Sequence, residues 1–102
     1  MICVLATINV VPGKRDEFLK HFHELVPEVL AEEGCVEYGP TIDVATNIGA
    51  QIELRPDVVT VVEKWDDIEA LERHLIAPHM LAYREKVKDL VASVTLQVVQ
   101  PA

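Results

Sequence analysis

The stretch from Arg15 to Glu33 constrains the fold more than any other part of the chain. Its apolar residues, Phe18, Leu19, Phe22, Leu25, Val26, Val29 and Leu30, recur at helical spacing, with Lys20, Glu24 and Glu28 on the opposite side. A helix of this kind must lay one face on an apolar layer. Residues 2–10, ICVLATINV, are rich in β-branched residues and predict a strand just before it, closed by a Val11-Pro12-Gly13 turn. Gly34 supplies the left-handed residue that stops the helix. Pro27 lies inside it and cannot donate to the carbonyl of His23.

The same reasoning orders the rest. Cys35 to about Val44 predicts a second strand, interrupted at Gly39-Pro40, and residues 45–57 predict a long loop or extended hairpin. Val58 to Trp65 is the clearest strand in the chain. Asp66 is placed to cap a short helix, with Glu69 as the acidic half of a capping box. Ala77-Pro78 breaks that helix and starts another, expected to run to about Ala92 with Met80, Tyr83, Val87, Leu90 and Val91 buried. Ser93 to Gln100 predicts the last strand. The order β-α-β-β-α-β predicts a single α+β domain over residues 1–102, ferredoxin-like, an antiparallel sheet with helices on one face. The other sheet face needs a cover, and a second copy of the chain is the simplest one.

Charge and composition exclude several functions. Nine basic residues against seventeen acidic ones give a net charge of −8, so the phosphate-neutralising term that nucleic acid binding requires is missing. Anionic membrane surfaces are disfavoured for the same reason, and no apolar run approaches the length of a spanning helix. The chain is expected to be cytoplasmic. Cys3 and Cys35 are too few for a disulfide scaffold and lack CxxC spacing, which suits small buried strand residues.

Particular residues carry a family resemblance. Pro12-Gly13-Lys14, Asp16-Glu17-Phe18, Glu33-Gly34-Cys35 and Tyr38 form a first half; Glu63-Lys64-Trp65, Glu69-Ala70-Leu71, His74 and Ala77-Pro78-His79 form a second. In this order and spacing, over roughly residues 3 to 92, the chain resembles the antibiotic biosynthesis monooxygenase family. The segment between Tyr38 and Trp65 departs from it by being longer than in many members. The resemblance implies a dimeric α+β barrel, a homodimer with a pocket between sheet and helices in each protomer. It also implies one of several reactions: cofactor-independent oxygenation of quinols or polyphenols, haem degradation, or isomerisation of a signalling metabolite. Haem-degrading relatives have a Trp where His74 stands and a ligating His where Arg84 stands, and neither match holds.

Oxygenation without a cofactor asks for an apolar pocket, a base, and hydrogen bonds to a developing anion. Histidine titrates near neutrality and is the natural base. Of the four, His74 sits at the edge of an apolar helix face, and the family pattern places it in the site; His79 begins the next helix. Either could instead serve packing or local hydrogen bonding. His21 and His23 flank the first helix's apolar stripe as boundary residues. Glu63 and Trp65 share a strand face, which makes Glu63 a pocket acid or a strand-end residue and Trp65 a core residue or a stacking surface. Tyr38, Tyr83 and Asn9 have the chemistry to hydrogen-bond a substrate. No HExxH motif and no His/Cys cluster at metal spacing is present, so neither a metal nor a cofactor is expected. The expected function is a cofactor-independent monooxygenase acting with O2 on a quinol-like aromatic molecule. The expected catalytic residues are His74, His79 and Glu63, and the expected substrate contacts are Trp65, Tyr83, Tyr38 and Asn9. The alternatives are a small-metabolite isomerase or a non-catalytic ligand-binding barrel.

Overall fold

A computed structural model describes residues 1–102. The elements are β1 (Ile2–Val10), α1 (Arg15–Leu30), β2 (Cys35–Thr41), β3 (Val58–Trp65), α2 (Ile68–Leu75), α3 (Pro78–Val87) and β4 (Val91–Val99). The strands form one antiparallel sheet in the order β2-β3-β1-β4. Alternation along β1 buries Ile2, Val4, Ala6, Ile8 and Val10 beneath the helices, and β3 adds Val59, Val61, Glu63 and Trp65 to the same layer. From α1, Phe18, Phe22, Leu25 and Val29 descend onto this layer, whereas Leu30, at the last turn, remains exposed. No helix is long and apolar enough to cross a membrane.

Several boundaries differ from the sequence expectation, each for a local reason. The helix that begins at Pro78 stops at Val87, not Ala92, because Val91 pairs with Val10 and the Val11 N–H donates to Leu90 O at 2.8 Å. β2 runs through Gly39-Pro40 to Thr41 without a break. It is an edge strand, where a proline's missing donor need not leave a ladder partner unsatisfied. The cap of α2 is Asp67, whose carboxylate accepts from Ala70 N at 2.8 Å, while the Asp66 N–H is engaged by Gly34 O. α1 continues through Pro27, so the proline costs one hydrogen bond without ending the helix.

The sheet face away from the helices is less apolar than a simple buried face. Leu5 and Val62 pair across it, among Thr7, Thr60 and Thr95, an Asn9–Ser93 hydrogen bond and a Lys64–Glu37 ion pair. The molecule is a slab 38 × 36 × 20 Å, one sheet and one helical layer thick.

Gly34 does two jobs. Its φ of +86° ends α1, and a Cβ there would stand 2.6 Å from Ala70 Cβ, so α2 packs directly on the glycine's backbone. Gly13 has a similar φ of +82° with nothing within 4 Å. Gly34→Ala is therefore expected to cost about 2–4 kcal/mol, backbone strain plus overpacking, and Gly13→Ala only the strain of about 1–2 kcal/mol. Urea unfolding midpoints of the two variants check this; equal losses would mean that the Ala70 contact yields freely.

Candidate active site

Between the helical layer and the β1–β4 side of the sheet lies a cavity of about 350 Å³, lined mostly by hydrophobic residues. Its polar groups are few and come from separate elements: Tyr38 of β2, Glu63 of β3, His74 of α2, and Tyr83 and Arg84 of α3, with Lys88 beyond the helix end. An apolar chamber of this size with a few convergent polar groups is the usual form of a small-molecule site.

His74 is fixed from behind. It is 1% exposed, deeper than a place at the edge of the helix's apolar face implies, and its ring centroid lies 4.7 Å from that of Trp65 and 5.4 Å from that of Tyr38. Its Nδ1 lies 2.8 Å from Glu32 Oε2, and His79 Nε2 lies 2.7 Å from the same oxygen. A carboxylate accepts, so each ring presents an N–H to it. That assigns the proton of neutral His74 to Nδ1 and leaves Nε2 as the free base. Nε2 has no partner in the chain, and the ring lines the cavity. Burial, opposed by the Glu32 carboxylate, holds the His74 pKa below its ordinary value, so the ring is neutral at physiological pH.

The same cavity is lined by Glu63, one of only two buried polar side chains. Its Oε1 accepts from Trp65 Nε1 at 2.9 Å. Burial pushes its pKa up to about 7 against the indole hydrogen bond, which lowers it. A neutral base and a carboxyl that titrates near neutrality thus face one chamber. Tyr38 and Tyr83, both raised above the ordinary phenol value by burial, stay protonated and can donate. Phe22 stacks on Tyr38 at 5.5 Å and meets Tyr83 edge-on at 5.8 Å, which holds both phenols in place.

The other expected site residues fall elsewhere. Trp65 is fully buried and backs Glu63 and His74 without lining the cavity. Asn9 alternates onto the opposite sheet face, where it donates to Ser93 Oγ at 2.9 Å. His79 lies behind Glu32 and borders a separate, polar cleft of about 240 Å³ with His21, Glu24, Glu28 and Lys86. Cys35 keeps its proton, its thiol pushed up to about 11 by burial. Sequence reasoning missed Glu32, which follows α1 as an ordinary acidic residue and meets its partners only through packing. It also missed Arg84 and Lys88, cations at the cavity mouth.

Glu32, His74 and His79 also correct the expectation that no ligand cluster exists, since their donor atoms lie within 4.8 Å of one another. The contacts of 2.7 and 2.8 Å are hydrogen-bond lengths. Ligands of a tetrahedral zinc-sized ion would stand about 3.3 Å apart. As arranged, the cluster shares protons.

With this geometry in view, the comparisons with known proteins are decisive at the level of family. The model of the family described as antibiotic biosynthesis monooxygenase matches residues 1–86. The chain belongs to that family. An Escherichia coli (strain K12) member named "Probable quinol monooxygenase YgiN" is 41% identical over 103 residues, covering 99% of this chain and 98% of that protein. YcnE of Bacillus subtilis (strain 168) is 34% identical over 93 residues, covering 91% and 88%. Among solved structures, a conserved protein from Methanosarcina mazei Go1 superposes with a TM-score of 0.82 at 24% identity, covering 99% of this chain and 92% of that one. PA3566 from Pseudomonas aeruginosa gives 0.80 at 25%, covering 99% and 93%. The slab of sheet and helices is thus the fold of the antibiotic biosynthesis monooxygenase family.

Proposed function

We propose that this monooxygenase-family protein oxidises a quinol or similar electron-rich aromatic molecule with O2, without a metal or organic cofactor, and works as a homodimer. The observation that carries the reading is the Glu32–His74 pair. A neutral imidazole, oriented through Nδ1, offers Nε2 to an apolar cavity that also holds Glu63. A quinol O–H set against Nε2 loses its proton to His74, and the quinolate formed is rich enough in electrons to reduce O2. One oxygen atom bonds to a ring carbon. Loss of that carbon's hydrogen as a proton, with cleavage of O–O, gives the ring carbonyl and releases the second atom as water. The sum, quinol plus O2 to hydroxyquinone plus water, balances without an external reductant. Arg84 forms no ion pair within the chain and lines the same cavity, where it can stabilise the quinolate. Tyr83 and Tyr38 are placed to donate to a substrate oxygen.

Arg84 and Lys88 at the mouth also suit a phosphorylated metabolite, which gives an isomerase as the second reading. A panel of quinols, incubated with the protein under air and under argon, separates the two. The expected result is protein-dependent hydroxyquinone formation above the autoxidation blank, with one O2 consumed per quinol, and none under argon. Turnover of a phosphorylated carbonyl compound under argon would establish the isomerase instead, and ligand binding without turnover would leave a binding barrel.

A further inference from the structure

Residues 42–57, between β2 and β3, form neither strand nor helix, yet they are braced. At the base, the Asp43 carboxylate accepts from Arg55 Nε and Nη2, both at 2.9 Å, and from Arg55 N at 3.0 Å. Nearer the tip, Gln51 Nε2 donates to Val44 O at 2.7 Å, Gln51 N donates to Ile48 O, and Thr46 bonds both Gln51 and Ile48 N. This arm holds out a series of aliphatic side chains, Ile42, Val44, Ile48, Ile52 and Leu54, that are 48–68% exposed.

A second apolar surface lies uncovered on the same molecule. On β4, Val94, Leu96 and Val98 sit opposite Ile8, Ala6 and Val4 and so belong to the helix-side face, yet they remain 46–53% exposed. The helices of the chain leave these three side chains about half uncovered. Val94 and Leu96 also line the candidate active-site cavity, so its wall on this side is open. Since both surfaces are exposed in one chain, the arm does not cover the stripe of its own molecule.

Area argues that something else does. The chain exposes 6526 Å², whereas a compact monomer of its mass exposes about 5,800 Å². The excess, roughly 700 Å², is close to the ~800 Å² that each partner buries in a standard stable interface. An arm and a complementary groove on the same chain also satisfy a two-fold pair, in which each copy gives its arm and receives the other's. The arm springs from the β2 side of the sheet and the stripe lies at the β4 edge. A two-fold axis running along the strands brings those opposite edges together.

We infer that the 42–57 arm of one copy lies on the β4 stripe of a second copy and closes its active-site cavity, so that each site is completed in trans. The inference rests on the dimer reading above and adds to it where the partner touches the site. In a Cys3→Ala/Cys35→Ala background, Ile48→Cys and Leu96→Cys chains are mixed and treated with a short bis-maleimide. The expected product is a covalent species of twice the chain mass that neither chain yields to the same extent alone. The double variant Ile48→Cys/Leu96→Cys should give the same product and little internal link. Sedimentation supplies the second measurement: the wild type should run as a dimer, and Ile48→Asp/Ile52→Asp should run as a folded monomer by circular dichroism. A dimer that does not cross-link, or that survives both aspartates, overturns the trans arm while leaving the dimer standing. A wild-type monomer overturns both. Neither readout depends on what the cavity binds.

Discussion

His74→Ala is expected to lower the oxygen-dependent rate by about 10²–10⁴-fold, the usual worth of general acid–base catalysis. The substitution also removes a buried ring packed on Trp65 and Tyr38 and leaves Glu32 short of one donor. A stability loss of about 2–4 kcal/mol should accompany it. His74→Asn separates the two effects, because its amide can still donate to Glu32 while nothing replaces Nε2. The asparagine variant should be nearly as slow as the alanine and markedly more stable. Single-turnover rates and unfolding midpoints measured on the same preparations decide. A rate within about threefold of wild type for both would remove His74 from the chemistry and shift the base to Glu63. The pH profile adds a signature. A base must be deprotonated, and burial lowers this histidine's pKa, so the acid limb should fall below the ordinary histidine value of 6.5 and vanish in both variants.

Glu63→Gln should change stability in a pH-dependent way. Burial raises the carboxyl from its ordinary value of 4.5 to about 7. The folded state therefore binds this proton more tightly than the unfolded chain does. Below about 4.5 both states are protonated and the group imposes no penalty. As pH rises from there toward 7 the unfolded chain ionises first, stability falls, and above 7 the loss is complete at about 3 kcal/mol. Glutamine never ionises and its oxygen can still accept from Trp65 Nε1. The variant should match the wild type at pH 4 and exceed it by up to about 3 kcal/mol at pH 8. Urea unfolding at the two pH values checks this, and a difference that does not change with pH would mean that Glu63 ionises freely. The gain in stability should come with a loss of rate if the carboxyl moves protons in the cavity.

The parts of this fold that obey a period were legible in the chain. Alternation in β3 placed Glu63 and Trp65 on one face, and the helical stripe of α1 placed Phe18, Phe22, Leu25 and Val29 in the core. What failed was decided by long-range pairing. The end of α3 at Val87 follows from Val91 joining Val10, eighty-odd residues earlier, and no local propensity records that. Asn9 was misplaced because polarity alone does not say which face of a strand is the pocket, whereas its neighbours Ala6 and Ile8 settle the phase. Glu32 was invisible for the same reason as the helix end. Its partners lie 42 and 47 residues away, and a glutamate after a helix gives no sign of two distant rings.

Trp65 is the only tryptophan in the chain, and its indole is bracketed by the two groups that titrate in the cavity. One side meets the His74 ring, and the N–H donates to Glu63. A protonated imidazole quenches indole emission, and an ionised acceptor on the N–H shifts its wavelength. The protein thus carries a built-in fluorophore whose intensity follows one group and whose colour follows the other, with no label to introduce and no second indole to subtract.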